Sequence, residues 1–376
     1  MQKISFSTFL SSLLLFLLAS CTTPEVNQTV IKGYDTDVMA NGEGLEINSF
    51  RMVALEASPE CMLGNPSKVE VFGSLIFIQD DKKLHVFDIN GQYLKHIGRR
   101  GNGHSEYINL STFCLNNDDN VILIDSYKNS VLKYATNGTF IEKVNMPEGV
   151  LANVHNVAPA GCDSLFVSEY LYNSSHILYS ILDLKTGKKT SVAETPLQTE
   201  NTMESVGTQP FSQCNGTIRY IKPLNNIIYT WTGHNGLEIS TTQKTFSEKK
   251  LSEIKDFCIN TYAACMSDNV FCGFSDIFET ERYIILPLKN LEYTVIDKQQ
   301  STCRRYSYDI DPENTNLPLY RIVGSSANNL VGLLTLMDLQ NLKENAKNSL
   351  VVDAINGLNV SDVLSINGIV TFYELK

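Results

Sequence analysis

Short apolar, β-branched runs alternate with polar turns along most of this chain, and the alternation repeats. Leu75-Ile76-Phe77-Ile78 leads into Val86-Phe87-Asp88-Ile89-Asn90-Gly91 and then Tyr93-Leu94-Lys95-His96-Ile97. Val121-Ile122-Leu123-Ile124 leads into Leu132-Lys133-Tyr134, Asn137-Gly138 and Phe140-Ile141-Glu142-Lys143-Val144. Each copy predicts a strand, a turn, a second strand, an Asn-Gly hairpin and a third strand. Asn-Gly between alternating apolar segments signals a hairpin, because a type I′ turn needs positive φ at both central residues. Gly91 and Gly138 lie 47 positions apart, within the period of propeller blades.

The rhythm continues. Leu165-Phe166-Val167-Ser168 and Tyr179-Ser180-Ile181-Leu182-Asp183-Leu184 precede a turn at Thr186-Gly187. Later runs are Thr217-Ile218-Arg219-Tyr220-Ile221, Ile227-Ile228-Tyr229-Thr230, Tyr283-Ile284-Ile285-Leu286, Tyr293-Thr294-Val295-Ile296 and Leu330-Val331-Gly332-Leu333-Leu334. The early spacing alone permits seven blades, but the later units are longer and six fits better. The expected fold is all-β: a six-bladed β-propeller. Residues 46–53 and 368–373 are both strand-like and are expected to close the ring within one terminal blade, leaving no open edge. Two segments break the pattern. Residues 247–268 suit a short helix, and residues 337–354 carry apolar positions at helical spacing, predicting a helical insertion near the C-terminus.

Residues 1–20 have the form of a bacterial lipoprotein signal. Lys3 supplies the positive charge, the apolar stretch is too short for an ordinary span, and Leu18-Ala19-Ser20-Cys21 resembles a lipobox. Cys21 is the expected lipid-attachment residue, giving an outer-membrane lipoprotein that faces either the periplasm or the surface. Residues 21–45 are polar and aperiodic and read as a flexible tether, with the propeller occupying 46–376. A net charge of −11 without any basic stripe argues against nucleic acid. Beyond Cys21 there are eight cysteines. They contain no Cys-x-x-Cys pair, so a structural zinc is not indicated, and Cys258, Cys265 and Cys272 form the natural place for a disulfide.

Several phrases resemble one known group. They are Arg51-Met52-Val53-Ala54-Leu55-Glu56, Phe87-Asp88-Ile89-Asn90-Gly91, Ile97-Gly98-Arg99-Arg100-Gly101-Asn102-Gly103-His104-Ser105-Glu106-Tyr107, Phe278-Glu279-Thr280-Glu281-Arg282-Tyr283 and Asp362-Val363-Leu364-Ser365-Ile366-Asn367-Gly368. In this order they resemble the TolB-like, NHL-like six-bladed propeller lipoproteins of Bacteroides and relatives. The group's usual Gly-Pro-Gly-Glu is Gly103-His104-Ser105-Glu106 here. The resemblance implies an envelope lipoprotein and carries over no catalytic residue.

Chemistry is sparse. The glycine-rich stretch at 98–103 lacks the Gly-Lys-Ser/Thr and the following helix of a phosphate loop, and reads as an inter-blade turn. Loops on a rigid scaffold nonetheless often carry binding groups, which makes Arg99, Arg100, His104 and Glu106 candidate ligand-binding residues. Of the six histidines, His155 and His234 sit in loop-like surroundings and join that set. No zincin helix and no Gly-x-Ser-x-Gly elbow is present, so no metal or other cofactor is expected. The function expected is a non-catalytic binding or scaffold module for a protein or glycan partner. The alternative is a channel-site hydrolase, lactonase or lyase acting on extracellular carbohydrate.

Overall fold

The apolar runs form strands because each presses both faces against a neighbouring sheet. Ile76 and Ile78 pack toward Val53, Leu55 and Val370 on one side, while the intervening Phe77 packs toward Phe113, Leu123 and Leu132 on the other. Ile122 and Ile124 likewise meet Val157, Leu165 and Val167. A strand covered on both faces reads as a continuous apolar run rather than a clean alternation. The core is therefore divided into wedges between adjacent sheets.

The computed structural model describes residues 29–35 and 47–375, apart from 82, 117, 173–174, 200–203, 232–234, 242, 289–291, 308–320, 327 and 359–365. In chain order, β1 (Thr29–Asp35) and β2 (Ile47–Glu56) precede the first blade, formed by β3 (Pro66–Phe72), β4 (Leu75–Asp80), β5 (Lys83–Asp88) and β6 (Tyr93–Ile97). The second blade is β7 (Leu110–Leu115), β8 (Asn120–Asp125), β9 (Ser130–Ala135) and β10 (Phe140–Asn145). The third is β11 (Val154–Pro159), β12 (Ser164–Glu169), β13 (Ile177–Asp183) and β14 (Lys189–Glu194). The fourth is β15 (Phe211–Cys214), β16 (Thr217–Ile221), β17 (Ile227–Thr230) and β18 (Asn235–Ser240), followed by α1 (Glu248–Ser252) and α2 (Ile259–Ser267). The fifth is β19 (Phe278–Glu279), β20 (Tyr283–Pro287), β21 (Glu292–Asp297) and β22 (Thr302–Ser307). The sixth comprises β23 (Ile322–Ser325), β24 (Asn329–Leu334), α3 (Leu336–Asn345), α4 (Ser349–Gly357) and β25 (Ile366–Leu375).

Six sheets stand in a ring, with the first strand of each blade innermost. The sixth blade runs β23-β24-β25-β2, so the expected closure by N- and C-terminal strands is what the chain does. Phe50 lies opposite Tyr373, Met52 opposite Thr371 and Ala54 opposite Ile369. Within the stretch expected to be tether, β1 is a strand that pairs in parallel with β18 and gives the fourth blade a fifth strand. The C-terminal insertion is two helices, not one. Thr335 and Asp338 form a reciprocal capping box at the start of α3, and Asn348 caps α4 by accepting from the Leu350 amide.

The Asn-Gly hairpins differ in detail from expectation. Positive φ falls on Gly91 (88°) and Gly138 (89°) and not on Asn90 or Asn137. The Gly91 amide donates to Asp88 O and the Gly138 amide to Ala135 O. These are type I turns followed by a left-handed glycine, not type I′ turns. The asparagine keeps ordinary φ because Asp88 and Asn137 carboxyl or amide oxygens already accept amides two residues on.

Gly91 also meets a neighbour. A Cβ there would stand 2.0 Å from the Ala54 carbonyl oxygen of β2, and the Glu56 amide donates to Gly91 O. Gly91→Ala is expected to destabilise the fold by about 2–3 kcal/mol, through left-handed strain plus displacement of the closing strand. Gly73→Ala, at φ 57° with nothing within 4 Å, should cost only about 1 kcal/mol. Paired urea midpoints at unchanged slope would measure the difference.

Because successive strands of a blade are antiparallel, its connections sort onto two faces. Connections entering the first strand, and those joining the second to the third, share one face, called here the entry face. It carries residues 98–109, all four helices and residues 57–65. The first-to-second and third-to-fourth turns lie on the other.

Candidate functional site

Where the inner strands converge on the axis, the side chains turn polar. Lys68 of β3 is largely buried and reaches past its own blade. Its Nζ donates to Phe113 O at 2.6 Å, to Asn156 Oδ1 at 2.7 Å and to Glu70 Oε1 at 2.9 Å. It also lies 5.1 Å from the centre of the Phe113 ring. Asn156 of β11 extends the network through Nδ2 to Gln209 Oε1 at 3.2 Å, and Gln209 Nε2 donates to Phe211 O at 2.8 Å. Glu70 accepts the Leu115 amide through its second oxygen at 3.1 Å. One ammonium thus ties the first three blades together and its charge is matched locally by Glu70. Beside it is a cavity of about 160 Å³ whose polar lining includes Glu70, Gln209, Ser212, Gln213 and Ser325.

A second buried charge lies on the other side of the ring. Glu279 of β19 is 1% exposed, and its Oε1 accepts from Lys298 Nζ at 2.7 Å and from Arg219. Its amide donates to Ser325 Oγ at 3.2 Å. Glu279 therefore links the fourth, fifth and sixth blades as Lys68 links the first three. Sequence reasoning missed both groups. The available signal was Lys68 and Glu70 alternating inside a strand-like run, and a glutamate inside Phe278-Glu279-Thr280.

Of the residues expected to bind ligand, Arg99, Arg100, His104 and Glu106 come together in the 98–107 turn, where most of their contacts are internal. Glu106 pairs with Arg99 and accepts the Gly103 amide at 2.8 Å; these bonds, the backbone one first, hold its carboxyl below the usual range. Lys128 Nζ donates to Gly101 O at 2.7 Å and Glu106 O at 2.8 Å. Arg100 forms a parallel bridge with Tyr107, and the His104 ring meets Phe140 edge-on at 5.5 Å. A Cβ on Gly101 would lie 2.1 Å from Glu106 Oε2, which explains the glycine. His155 stands apart from this turn, on β11 beside the axial network. His234 and Cys21 lie outside the described residues.

The His155 ring is 3.4 Å from Ser168 Oγ and packs against Tyr170. Burial, and then the nearby Lys68 charge, pull its pKa down to about 4. Ser168 is buried, and among the described residues no carboxylate is hydrogen-bonded to the His155 ring. Among the described residues, no three His, Cys, Asp or Glu side chains gather as a metal site. The eight described cysteines are free thiols.

His155 predicts an acid response. The unfolded chain binds a proton near pH 6.5 and the fold resists it until about pH 4. Stability is full above the unfolded value and falls between those limits, by up to about 3 kcal/mol. Buried His85, also shifted down chiefly by burial, adds in the same direction. His155→Gln is expected to flatten the urea midpoint across this window relative to the parent chain. An unchanged acid slope would refute the assignment.

A search of curated proteins finds no match. Among solved structures, the chain is similar to a Bacteroides fragilis protein presumed to be exported, at 20% identity and a TM-score of 0.70, covering 93% of this chain and 100% of that one. It is also similar to a Bacteroides vulgatus protein of the DUF4221 family, at 10% identity and a TM-score of 0.52, covering 89% and 99% of the two chains. At these identities the likeness concerns the fold. Residues 34–373 match the model of a domain of unknown function, DUF4934, and the chain belongs to that family.

Proposed function

We propose that this chain is an exported, lipid-anchored propeller that binds a protein partner through its entry face and performs no catalysis. The observation carrying this reading is an asymmetry in exposed large apolar side chains. Among the described residues, Leu94 and Ile141 lie on outer strands; Tyr127 and Tyr172 in turns, and Met62, Ile259, Met266, Met337 and Val352 in connections, all belong to the entry face. Tyrosine and methionine are over-represented at protein interfaces. Lys68 is bonded to Glu70 and Asn156, Asn156 to Gln209, and one oxygen of Glu279 to Arg219 and Lys298, which favours a structural plug over a catalytic funnel. Export is supported by the presumed export of the Bacteroides fragilis relative and by the signal at residues 1–20. Attachment is assigned to Cys21, which ends the lipobox-like Leu18-Ala19-Ser20-Cys21. Kinship with the TolB-like and NHL-like groups belongs to the same reading.

The test is a photo-crosslinking residue placed in producing cells at Tyr127, Met337 or, on the opposite face, exposed Cys162. Discrete protein adducts are expected from the first two positions and not the third. Equal adducts from Cys162, or none from any position, would sink the proposal.

A further inference from the structure

The strand β1 fixes where the amino-terminal chain meets the ring. Thr29 lies opposite Asn235 and Asp35 opposite Ser240, so the segment runs along the outer edge of the fourth blade and also touches β22 of the fifth. Only eight residue steps separate Cys21 from Thr29, and a fully extended chain of that length spans at most about 28 Å. A 25-residue tether would let the ring tumble freely; a strand that pairs this early does not. We propose that β1 is a strap which holds the rim of the fourth blade against the lipid bilayer, so that the ring stands on that edge and the first blade is farthest from the membrane. This rests on the lipid-anchor reading above, and it names the surface that reading leaves open. A ring held by one edge keeps its entry face clear of the bilayer, where the exposed tyrosines and methionines remain accessible.

The chain carries its own probe. Trp231 is the sole tryptophan and follows β17 at the turn leading into β18, with its amide donating to Ile218 O at 2.9 Å. The experiment reconstitutes the acylated protein in phosphatidylcholine vesicles with and without nitroxide-headgroup lipid. Trp231 emission is expected to fall at least twofold with the nitroxide lipid. In the variant Trp231→Phe/Leu94→Trp, whose reporter sits exposed on β6 across the ring, emission should stay unchanged. Inserting a long Gly/Ser spacer before Thr29 should relieve the quenching while flotation with vesicles persists. Acylated, floating protein whose two reporters are quenched equally, or whose Trp231 is unquenched, overturns the rim placement while leaving the anchor intact. Quenching that survives the spacer overturns the strap. Recovery of a mature chain with an unmodified Cys21 thiol overturns the anchor, and the rim placement with it.

Discussion

A chain lacking residues 47–56 is expected to be recovered unfolded or aggregated, with the strand signal in far-ultraviolet circular dichroism largely lost. The strand β2 buries Ile47, Met52, Val53 and Leu55. At roughly 1.5–3 kcal/mol for each fully buried side chain, these contribute about 6–12 kcal/mol, comparable to the roughly 5–15 kcal/mol by which a typical domain is stable. Deletion also strips the partner from one side of β25, leaving an open edge. Further bonds tie β2 to the first blade: Arg51 donates to Ile89 O at 3.0 Å and the Tyr93 amide donates to Glu56 at 3.0 Å. A monomeric truncated chain melting within a few degrees of the parent would show that the ring does not depend on this strand. Supplying the 47–56 peptide in trans should restore part of the lost signal, since an extended segment can add to an exposed sheet edge.

Lys68→Met should cost about 3 kcal/mol, the second-largest effect expected. Methionine keeps most of the volume, so the loss comes from electrostatics and hydrogen bonding. Phe113 O and Asn156 Oδ1 lose a charged donor, and Glu70 is left without its counter-ion. Glu70 is partly open to solvent, which places the cost at the low end of the range for broken buried pairs. Lys68→Met/Glu70→Gln should therefore lose less than the two single changes added together. The same substitution carries a separate signature. Lys68 helps to depress His155, so removing the ammonium should raise the imidazole pKa from about 4 toward its ordinary value, measurable by nuclear magnetic resonance. Additive losses, or a His155 that does not move, would mean that the axial network is not coupled.

The fold was legible because propeller blades repeat a short, local pattern. Ile76 to Ile78 and Ile122 to Ile124 are apolar without interruption, since both faces of those strands are covered, and the hairpin glycines mark the spacing. The innermost strands were harder to see. In β3, Lys68 and Glu70 join the axial network, and in β11 Asn156 does, so these segments lack an apolar run and look like loops. The axial site was hidden for the same reason: Lys68, Asn156 and Glu279 gain meaning only when strands far apart in sequence meet at one axis. Conversely, the turn at 98–107 attracted notice through its glycines and arginines, yet Gly101 and Gly103 mainly make room for Glu106. The insertion at 337–354 showed helical spacing, but the break at 346–348 depends on a single capping side chain, Asn348.

The sixth blade joins an early strand of the ring, β2, to the last one synthesised, β25. β25 emerges from the ribosome after every other described strand, yet it must slot between β24 and β2. Until it does, β2 has no partner and the earlier blades form an open arc. The ring therefore cannot close until synthesis has passed the last strand, and β2 is exposed to mispairing and aggregation for the whole of that interval.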